Sequence, residues 1–245
     1  METPEQFFEA AFSVDNIIFG FDEGRLKVLL IKRGMHPYEG QWALPGDLVY
    51  PHEHIDDAAG RILLQLTGLN DVYLEQVKAF GAPDRHPLGR VITLAYYSLV
   101  RINRYQLTPA SFAQQAEWHT IEAARALPLA FDHADILDTC FERLRQRVRT
   151  RPVGFELLAQ KFTLTELQNL YEAILETPLE KRNFRKKILA TGLLIDLRET
   201  QEGVAHRPAK LYSFDWEKYK ELEREGYYFE VKETKRQQRS AASLN

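Results

Sequence analysis

One stretch of the chain, ALPGDLVYPHEHIDDAAGRILLQLTGL at residues 43–69, combines acidic residues with helical spacing. Several carboxylates on one face of a helix can hold Mg²⁺, which prefers oxygen ligands, and can activate a water molecule. The helical residues between Arg61 and Gly68, however, include no carboxylate. Glu53 alone is not a metal site. The stretch therefore predicts neither a metal centre nor a cofactor.

A second cluster, KRNFRKK at residues 181–187, concentrates positive charge within a segment that otherwise looks folded. An isolated run of charge is usually a solvated helix face, but a helix that enters the DNA major groove needs such side chains. The spacing places Phe184, Ile188 and Leu189 on an apolar docking face and points the polar side chains outward. The candidate DNA-binding residues, including cations near a later hairpin, are Lys181, Arg182, Asn183, Arg185, Lys186, His206, Arg207 and Lys210.

The first half of the chain reads as strands with interspersed helices. The runs VDNIIFGF and LKVLLIKR, joined by DEGR, predict a hairpin, and RVITLAYYSLVRI predicts a further strand. Between them HIDDAAGRILLQLTGL has the apolar spacing of a helix that stops at Gly68. HADILDTCFERLRQRVRT predicts an amphipathic helix. This pattern indicates one layered domain of mixed helices and strands over residues 1–150.

The second half changes character after a break at Pro152 and Gly154. TLTELQNLYEAILET predicts a helix with Thr163 or Thr165 as its N-cap, and EKRNFRKKILATG predicts a second helix. The next residues predict two strands around a polar loop. Helix, turn, basic helix and hairpin is the order of a winged helix-turn-helix, which we assign to residues 151–232. The polar segment 233–245 is expected to be a disordered tail.

The composition narrows the class of protein. The 245 residues are 44% hydrophobic and carry a net charge of −3, so the chain as a whole is not a nucleic-acid polycation. The single Cys140 excludes an intramolecular disulfide and a cysteine-based zinc site, and it fits a reducing compartment. The N-terminal residues do not resemble a signal peptide, and the apolar runs are too short to span a bilayer. We therefore expect a cytoplasmic protein.

Residues 43–69 resemble the Nudix box, a loop–helix–loop that holds divalent metal against a diphosphate. When the two are aligned from Gly68, Arg61 stands on the box arginine and Glu53 on the first box glutamate. The box glycine and the remaining box glutamates are replaced here by Asp47, Ile62, Gln65 and Leu66. The resemblance thus implies a Nudix-like fold in which metal-assisted diphosphate hydrolysis is not expected.

Later segments are similar to those of the Nudix-related transcriptional regulators, which fuse a Nudix-like sensor domain to a C-terminal winged helix-turn-helix. The resemblance runs from about Asp15 to Phe214 and is carried by FGAPDRHPLGRVITLAYYSLV, FTLTELQNLYEAI, KRNFRKKI and HRPAKLYSF. It is greatest to a sugar-responsive branch that includes regulators of L-arabinose use. A second branch senses ADP-ribose and controls NAD synthesis. The implied fold is α+β, with a Nudix-like α/β/α sandwich followed by the winged helix-turn-helix.

A ligand pocket is expected among polar and aromatic residues near the loops of the first domain. The segment GAPDRHPLGR lies between two apparent strands, and Trp42 could stack on the face of a sugar. One of Tyr96 and Tyr97 should face inward, because side chains alternate along a strand. Asp132 and His133 are further candidates, although Asp132 also suits a helix N-cap. The predicted ligand-binding residues are Trp42, Asp47, Glu53, Asp84, Arg85, Arg90 and Tyr97.

These patterns predict a transcription factor that responds to a sugar such as L-arabinose. Its partners would be double-stranded operator DNA and a second copy of the chain, and the resemblance favours a repressor that its effector releases. ADP-ribose would need cations for its diphosphate, and Arg61, Arg85 and Arg90 could supply them, so an ADP-ribose sensor for NAD metabolism remains an alternative. The sequence also leaves open an active Nudix hydrolase, or a constitutive DNA-binding protein with an inert Nudix scaffold.

Overall fold

The computed structural model describes residues 10–70, 72–102, 113–204, 207–227 and 229. The chain separates into two compact units that divide after Leu144. The predicted tail at residues 233–245 lies outside the described residues, and so does His206. No helix within these ranges is long and apolar enough to cross a membrane.

A mixed sheet forms the first unit. Its described strands are β1 (Ala11–Asp22), β2 (Arg25–Arg33), β3 (Trp42–Ala43), β4 (Gly46–Leu48), β5 (Tyr73–Phe80), β6 (Val91–Val100) and β7 (Ala113–Thr120). They run in the order β3–β2–β1–β6–β5, with β4 paired to β1 and β7 paired to β2. β1 pairs in parallel with β6 and antiparallel with β2 and β4. The first strand therefore lies at the centre of the sheet.

The predicted hairpin between β1 and β2 is confirmed. Asp22 pairs with Arg25, so Glu23 and Gly24 alone form the loop. Both loop residues have positive φ, 50° and 73°. This is the arrangement of a type I′ turn, whose twist matches that of the flanking strands.

One face of the sheet is covered by α1 (Ile55–Thr67), as the apolar spacing predicted. The helix ends at Gly68, whose φ of 69° lets its N–H reach the Leu64 carbonyl. The buried side chains of α1 pack in one cluster with Val14, Ile18 and Tyr96 of the sheet. This cluster is the core on the α1 side.

The opposite face is covered by α2 (Ile121–Ala126) and α3 (His133–Thr150). Phe19 and Tyr97 follow Ile18 and Tyr96 along their strands, so their side chains point to this other face. There the Phe19 ring lies 6.2 Å from Tyr97 and 6.2 Å from Phe141 of α3, measured between ring centroids. Helices on both sides of one sheet confirm the predicted α/β/α sandwich.

The second unit has the predicted order of helix, turn, helix and hairpin. A 3₁₀ helix (Pro152–Leu157) precedes α4 (Leu164–Leu175), α5 (Lys181–Ala190), β8 (Leu194–Thr200), β9 (Lys210–Phe214) and α6 (Trp216–Arg224). Of the two predicted N-cap residues, Thr163 caps α4 and forms a capping box with Glu166. The Phe155 ring packs 4.2 Å from Phe214 and 5.6 Å from Phe162, which ties the start of the unit to the hairpin.

Candidate functional site

A cavity of about 540 Å³ opens in the first unit beside the beginning of β1. Alternate residues of that strand, Ala11, Ser13 and Asp15, line it together with the segment after β2, part of β4, residues 85–91 and the start of α3. Its size lies in the usual range for small-molecule sites. Charged and aromatic side chains on its walls determine what it can bind.

Arg85 is the most deeply buried positive charge in the cavity lining. Its guanidinium donates two hydrogen bonds to the Asp132 carboxylate, at 2.9 and 2.6 Å, and lies 3.6 Å from Asp15. Asp15 also accepts a hydrogen bond from the Thr93 hydroxyl at 2.7 Å. Because only 4% of the Arg85 side chain is exposed, losing either carboxylate would leave a buried charge poorly compensated. The Asp132 side chain, immediately before α3, is thus engaged with Arg85.

His133, at the start of α3, is buried beside this pair. Burial lowers the pKa of its imidazole, so the ring is neutral at pH 7. Its Nδ1 accepts a hydrogen bond from the Leu44 backbone N–H at 2.9 Å, so the proton of the neutral ring resides on Nε2. Nε2 lies 3.5 Å from the Asp15 carboxylate. His133 therefore links the segment before β4 to the acidic floor of the cavity.

Phe131 forms an aromatic wall of the cavity. His86 stacks on it with centroids 5.1 Å apart, and Tyr38 meets it edge-on at 4.7 Å. The Arg33 guanidinium lies 4.8 Å from the Phe131 centroid, within cation–π distance. Burial, with Arg85 and Arg33 nearby, lowers the pKa of His86. Phe131 has a φ of 54°, a conformation that is uncommon for a bulky residue and that clusters at functional sites.

Arg33 and Arg90 bring two further positive charges to the lining. The Arg33 Nε donates to the Pro37 carbonyl at 2.7 Å, and burial lowers the pKa of its guanidinium. Arg90 is exposed and donates from Nη1 to the Gly81 carbonyl at 2.6 Å. Each guanidinium has five N–H donors. Among the described residues these contacts use only part of each guanidinium, so both arginines keep N–H donors available for an anionic ligand.

Arg61 holds together the segment from β4 to α1. Its guanidinium lies 2.7 Å from Asp47 and makes hydrogen bonds of 2.7 and 3.0 Å to Glu53. The Tyr50 ring covers it, with its centroid 4.0 Å away. The hydrogen bond from Arg61 lowers the pKa of Glu53, and the same contact raises the pKa of Arg61. Two acidic residues of this segment, Asp47 and Glu53, are therefore paired with one guanidinium of the protein.

Of the three α1 positions that correspond to box glutamates, two are buried in the core and one is exposed. Ile62 and Leu66 are fully buried in the cluster between α1 and the sheet. Gln65 is exposed. Within the described ranges, no group of three or more His, Cys, Asp or Glu side chains is placed to hold a metal ion.

The structure separates the predicted ligand-binding residues into two sets. Asp47, Arg85 and Arg90 line the cavity. Glu53 instead lines a neighbouring groove, where Arg61 holds it. Asp84 is exposed and lies outside the cavity lining.

Trp42 and Tyr97 do not reach the cavity. The Trp42 ring packs edge-on against His119 with centroids 4.8 Å apart. Tyr97 does face inward, but its side chain is fully buried and its hydroxyl donates to Glu75 at 3.0 Å. Burial is also the main reason that the pKa of Tyr97 is raised. The Tyr97 side chain therefore belongs to the core and does not line the cavity.

Sequence reasoning did not select Asp15, Arg33 or Phe131, which all line the cavity. A signal existed for Asp15, because an acidic residue inside the apolar run VDNIIFGF has to be paired or functional. The conformation of Phe131 has no signature in the sequence, since its positive φ occurs at a residue that usually avoids it.

In the second unit, α5 presents polar side chains predicted to meet DNA. Phe184 and Ile188 are buried and dock the helix. Leu189 is 44% exposed, which corrects its assignment to the docking face, because it lies about 100° around the helix from Ile188. The exposed predicted residues are Lys181, Arg182, Asn183 and Lys186.

Glu180 caps the start of α5. Its carboxylate accepts hydrogen bonds from the backbone N–H groups of Arg182, at 3.0 Å, and Asn183, at 2.8 Å. These hydrogen bonds lower the pKa of the Glu180 carboxyl, which is consequently charged at neutral pH.

Two other predicted DNA-binding cations have partners inside the domain. Arg185 is half-buried, and its Nη2 donates to the Thr165 hydroxyl at 2.9 Å. Lys210 is exposed but lies 3.0 Å from the Asp196 carboxylate. Arg207 is exposed in the segment before β9.

Comparisons with known proteins match this two-part organisation. Residues 11–140 match the NUDIX domain family, and residues 154–214 match the NrtR DNA-binding winged helix domain. The chain is 39% identical to the ADPR responsive transcriptional repressor NtrR of Acinetobacter baylyi, over 84% of this chain and 83% of that relative.

Two solved structures from Shewanella oneidensis are also similar. NrtR complexed with a 27mer DNA superposes with a TM-score of 0.74 at 28% identity, covering 90% of this chain and 99% of that one. The NUDIX domain of NrtR complexed with ADP ribose superposes with a TM-score of 0.52 at 30% identity, covering 58% of this chain and 94% of that one. The chain therefore belongs to the NrtR-like family of transcriptional regulators, in which a Nudix-like sensor domain precedes a DNA-binding winged helix domain.

Proposed function

We propose that this protein is a transcriptional repressor whose Nudix-like domain senses ADP-ribose. The observation that carries the proposal is the cavity, which combines an aromatic wall with several guanidinium groups. The similarity to an ADPR responsive repressor and to an ADP-ribose-bound NUDIX domain supports this effector. These relatives favour ADP-ribose over the sugar effector that the sequence suggested.

The cavity offers a counterpart for each part of ADP-ribose. An adenine ring can pack on the aromatic wall of Phe131 and His86. Arg33 and Arg90 supply donors for the diphosphate, which forms its strongest hydrogen bonds with guanidinium groups. The Asp15 carboxylate can accept from ribose hydroxyl groups. An uncharged pentose would leave both arginines without an anionic partner, so it fits this cavity less well.

The same proposal holds that the domain binds its effector without hydrolysing it. The Nudix reaction needs carboxylates that hold a divalent metal. In this protein Ile62 and Leu66 belong to the core, and Arg61 forms ion pairs with both Asp47 and Glu53. The segment thus has a structural cation in place of a cluster of metal ligands.

The winged helix domain is proposed to meet operator DNA through α5 and the hairpin. The exposed side chains of Lys181, Arg182, Asn183 and Lys186 would reach bases and phosphates, with Arg207 and Lys210 adding phosphate contacts. A homodimer would match a two-fold operator. Effector binding would favour a conformation with lower operator affinity, so that ADP-ribose releases the DNA.

Isothermal titration calorimetry with ADP-ribose and with L-arabinose, each with and without EDTA, tests the effector. We expect heat of binding from ADP-ribose alone, and equal affinity with and without the chelator. Arg33→Gln and Arg90→Gln should each weaken binding about tenfold or more, because a hydrogen bond to a charged group contributes about 1.5–3 kcal/mol. Arg25→Gln is the matched control, since Arg25 is exposed at the β1–β2 hairpin and outside the cavity.

Each other outcome supports a different function. Binding of L-arabinose alone would restore the sugar sensor. Binding of neither compound, together with DNA affinity that neither changes, would indicate an inert scaffold. Magnesium-dependent cleavage of ADP-ribose by the purified protein would show a hydrolase and contradict the second part of the proposal.

A further inference from the structure

Strand β8 of the second unit contains a pronounced bulge. Asp196 pairs with Tyr212 of β9, and Thr200 pairs with Lys210. The three β8 residues between these pairs, 197–199, therefore face the single β9 residue 211. Bulges re-aim side chains and are common beside functional sites. Arg198 lies at the centre of this one.

The backbone of Arg198 is held in an unfavourable conformation. Its φ is 56°, in the left-handed region that a residue with a Cβ atom usually avoids. Asp196 stabilises this conformation, because its Oδ1 accepts the Arg198 backbone N–H at 2.9 Å while its Oδ2 accepts from Lys210 at 3.0 Å. These hydrogen bonds lower the pKa of the Asp196 carboxyl. Strain that specific contacts maintain indicates a use for the side chain concerned.

The acidic residues beside Arg198 already have cationic partners. Asp196 pairs with Lys210, and Glu199 lies 2.5 Å from Lys161. The Arg198 side chain is exposed, and among the described residues its guanidinium has no hydrogen bond or close ion pair, only a longer-range attraction to Asp196. The bulge thus presents a guanidinium whose charge the domain itself does not match.

We propose that Arg198 binds a phosphate of the DNA backbone and that the bulge holds it in place for this contact. A guanidinium matches two phosphate oxygens at once, and it stays charged at any relevant pH. Phosphate contacts fix the orientation of a domain on DNA without reading the sequence. The inference rests on DNA binding by this domain and not on the effector, so it can fail while ADP-ribose sensing stands.

Salt dependence of DNA binding tests the contact in the full chain. Arg198→Gln and Arg198→Gly are compared with wild type by fluorescence anisotropy on a labelled duplex of mixed sequence. One phosphate contact contributes about 0.9 to the slope of log K against log salt concentration, so from about 50 to 200 mM salt the wild type should lose about 3.5-fold more affinity than either variant. Arg224→Gln, at an exposed arginine of α6, removes the same charge and should leave the slope unchanged.

The glycine variant separates the contact from the conformation. Glycine adopts positive φ without a Cβ clash, so Arg198→Gly should melt at the same temperature as Arg198→Gln or higher, while losing the same DNA contact. An unchanged salt slope in both variants would overturn the proposal. A loss of affinity on one DNA sequence but not on a scrambled one would assign Arg198 to a base and overturn the phosphate contact. A lower melting temperature for Arg198→Gly would refute the strain.

Discussion

Ile62→Glu would restore one acidic residue of the Nudix box, and we expect it to destabilise the first unit strongly. Ile62 is fully buried between α1 and the sheet. Gln65, on the same helix, is exposed and provides the matched control Gln65→Glu. Both variants add a box carboxylate, but only Ile62→Glu forces it into the core.

The magnitude follows from two costs. Losing the burial of an isoleucine side chain costs about 1.5–3 kcal/mol. A glutamic acid with an ordinary pKa near 4.3 must be protonated to enter a dry core at pH 7, which adds about 2.7 × 1.36, or about 3.7 kcal/mol. The sum of about 5–7 kcal/mol is comparable with the whole unfolding free energy of many domains. Gln65→Glu should change that free energy by less than about 0.5 kcal/mol.

Urea denaturation followed by tryptophan fluorescence measures the effect. In a Trp216→Phe background, the remaining tryptophans Trp42 and Trp118 both belong to the first unit and report its unfolding. Burial raises the pKa of the introduced carboxyl above its value in the unfolded chain. The variant should therefore be most stable below about pH 4.3 and lose stability as the pH rises toward the folded-state pKa.

Ile62→Val separates lost volume from charge, since it should cost only about 0.5–1.5 kcal/mol and show no added pH dependence. If Ile62→Glu were as stable as Gln65→Glu at pH 7, the placement of position 62 in the core would be wrong. A deficit that stayed constant between pH 4 and pH 7 would refute the electrostatic part of the reasoning.

Three further predictions concern other parts of the chain. Arg61→Met should reduce the loss of unfolding free energy that occurs as the pH falls below about 4.5. Arg61 lowers the pKa of Glu53, so the Glu53 carboxylate stabilises the fold until acid protonates it. Melting temperatures measured as a function of pH would show the difference. Thr163→Ala should cost the second unit about 1 kcal/mol by removing the α4 cap, while Thr163→Ser keeps it. Trp216 fluorescence in urea, in a background with Trp42→Phe and Trp118→Phe, measures the difference. Cys140, buried with a raised pKa, should react with a thiol reagent only after unfolding; fast reaction of the native protein would contradict its placement.

The helices and strands that the sequence predicted have local signals, whereas β3, β4, β7, α2 and α6 were not predicted. A few neighbouring residues determine each of these signals: the apolar spacing of α1 and α3, the Asp22–Arg25 connection and the Thr163 cap. The order of elements in the second unit followed from the same signals. The sequence could not choose between effectors, because sugar and ADP-ribose share hydroxyl groups that the same polar residues would bind.

The site was only partly predictable because its contacts join distant parts of the chain. Arg85 pairs with Asp132 across 47 residues, and local sequence cannot predict such a pair. One of Tyr96 and Tyr97 was expected to face inward, but both are buried, one on each face of the sheet, and neither lines the cavity. Trp42 was assigned by residue type, whereas its β3 position places the ring against His119.

Glu180 gives α5 a property that its basic composition conceals. The first N–H groups of a helix ordinarily attract anions such as DNA phosphates. Here the carboxylate of Glu180 has taken the N–H groups of Arg182 and Asn183. A phosphate that approaches the start of α5 finds these two N–H groups occupied and has to be held by the side chains of the helix. We therefore expect lower affinity for non-specific DNA, faster dissociation from non-specific sites and a faster search for the operator.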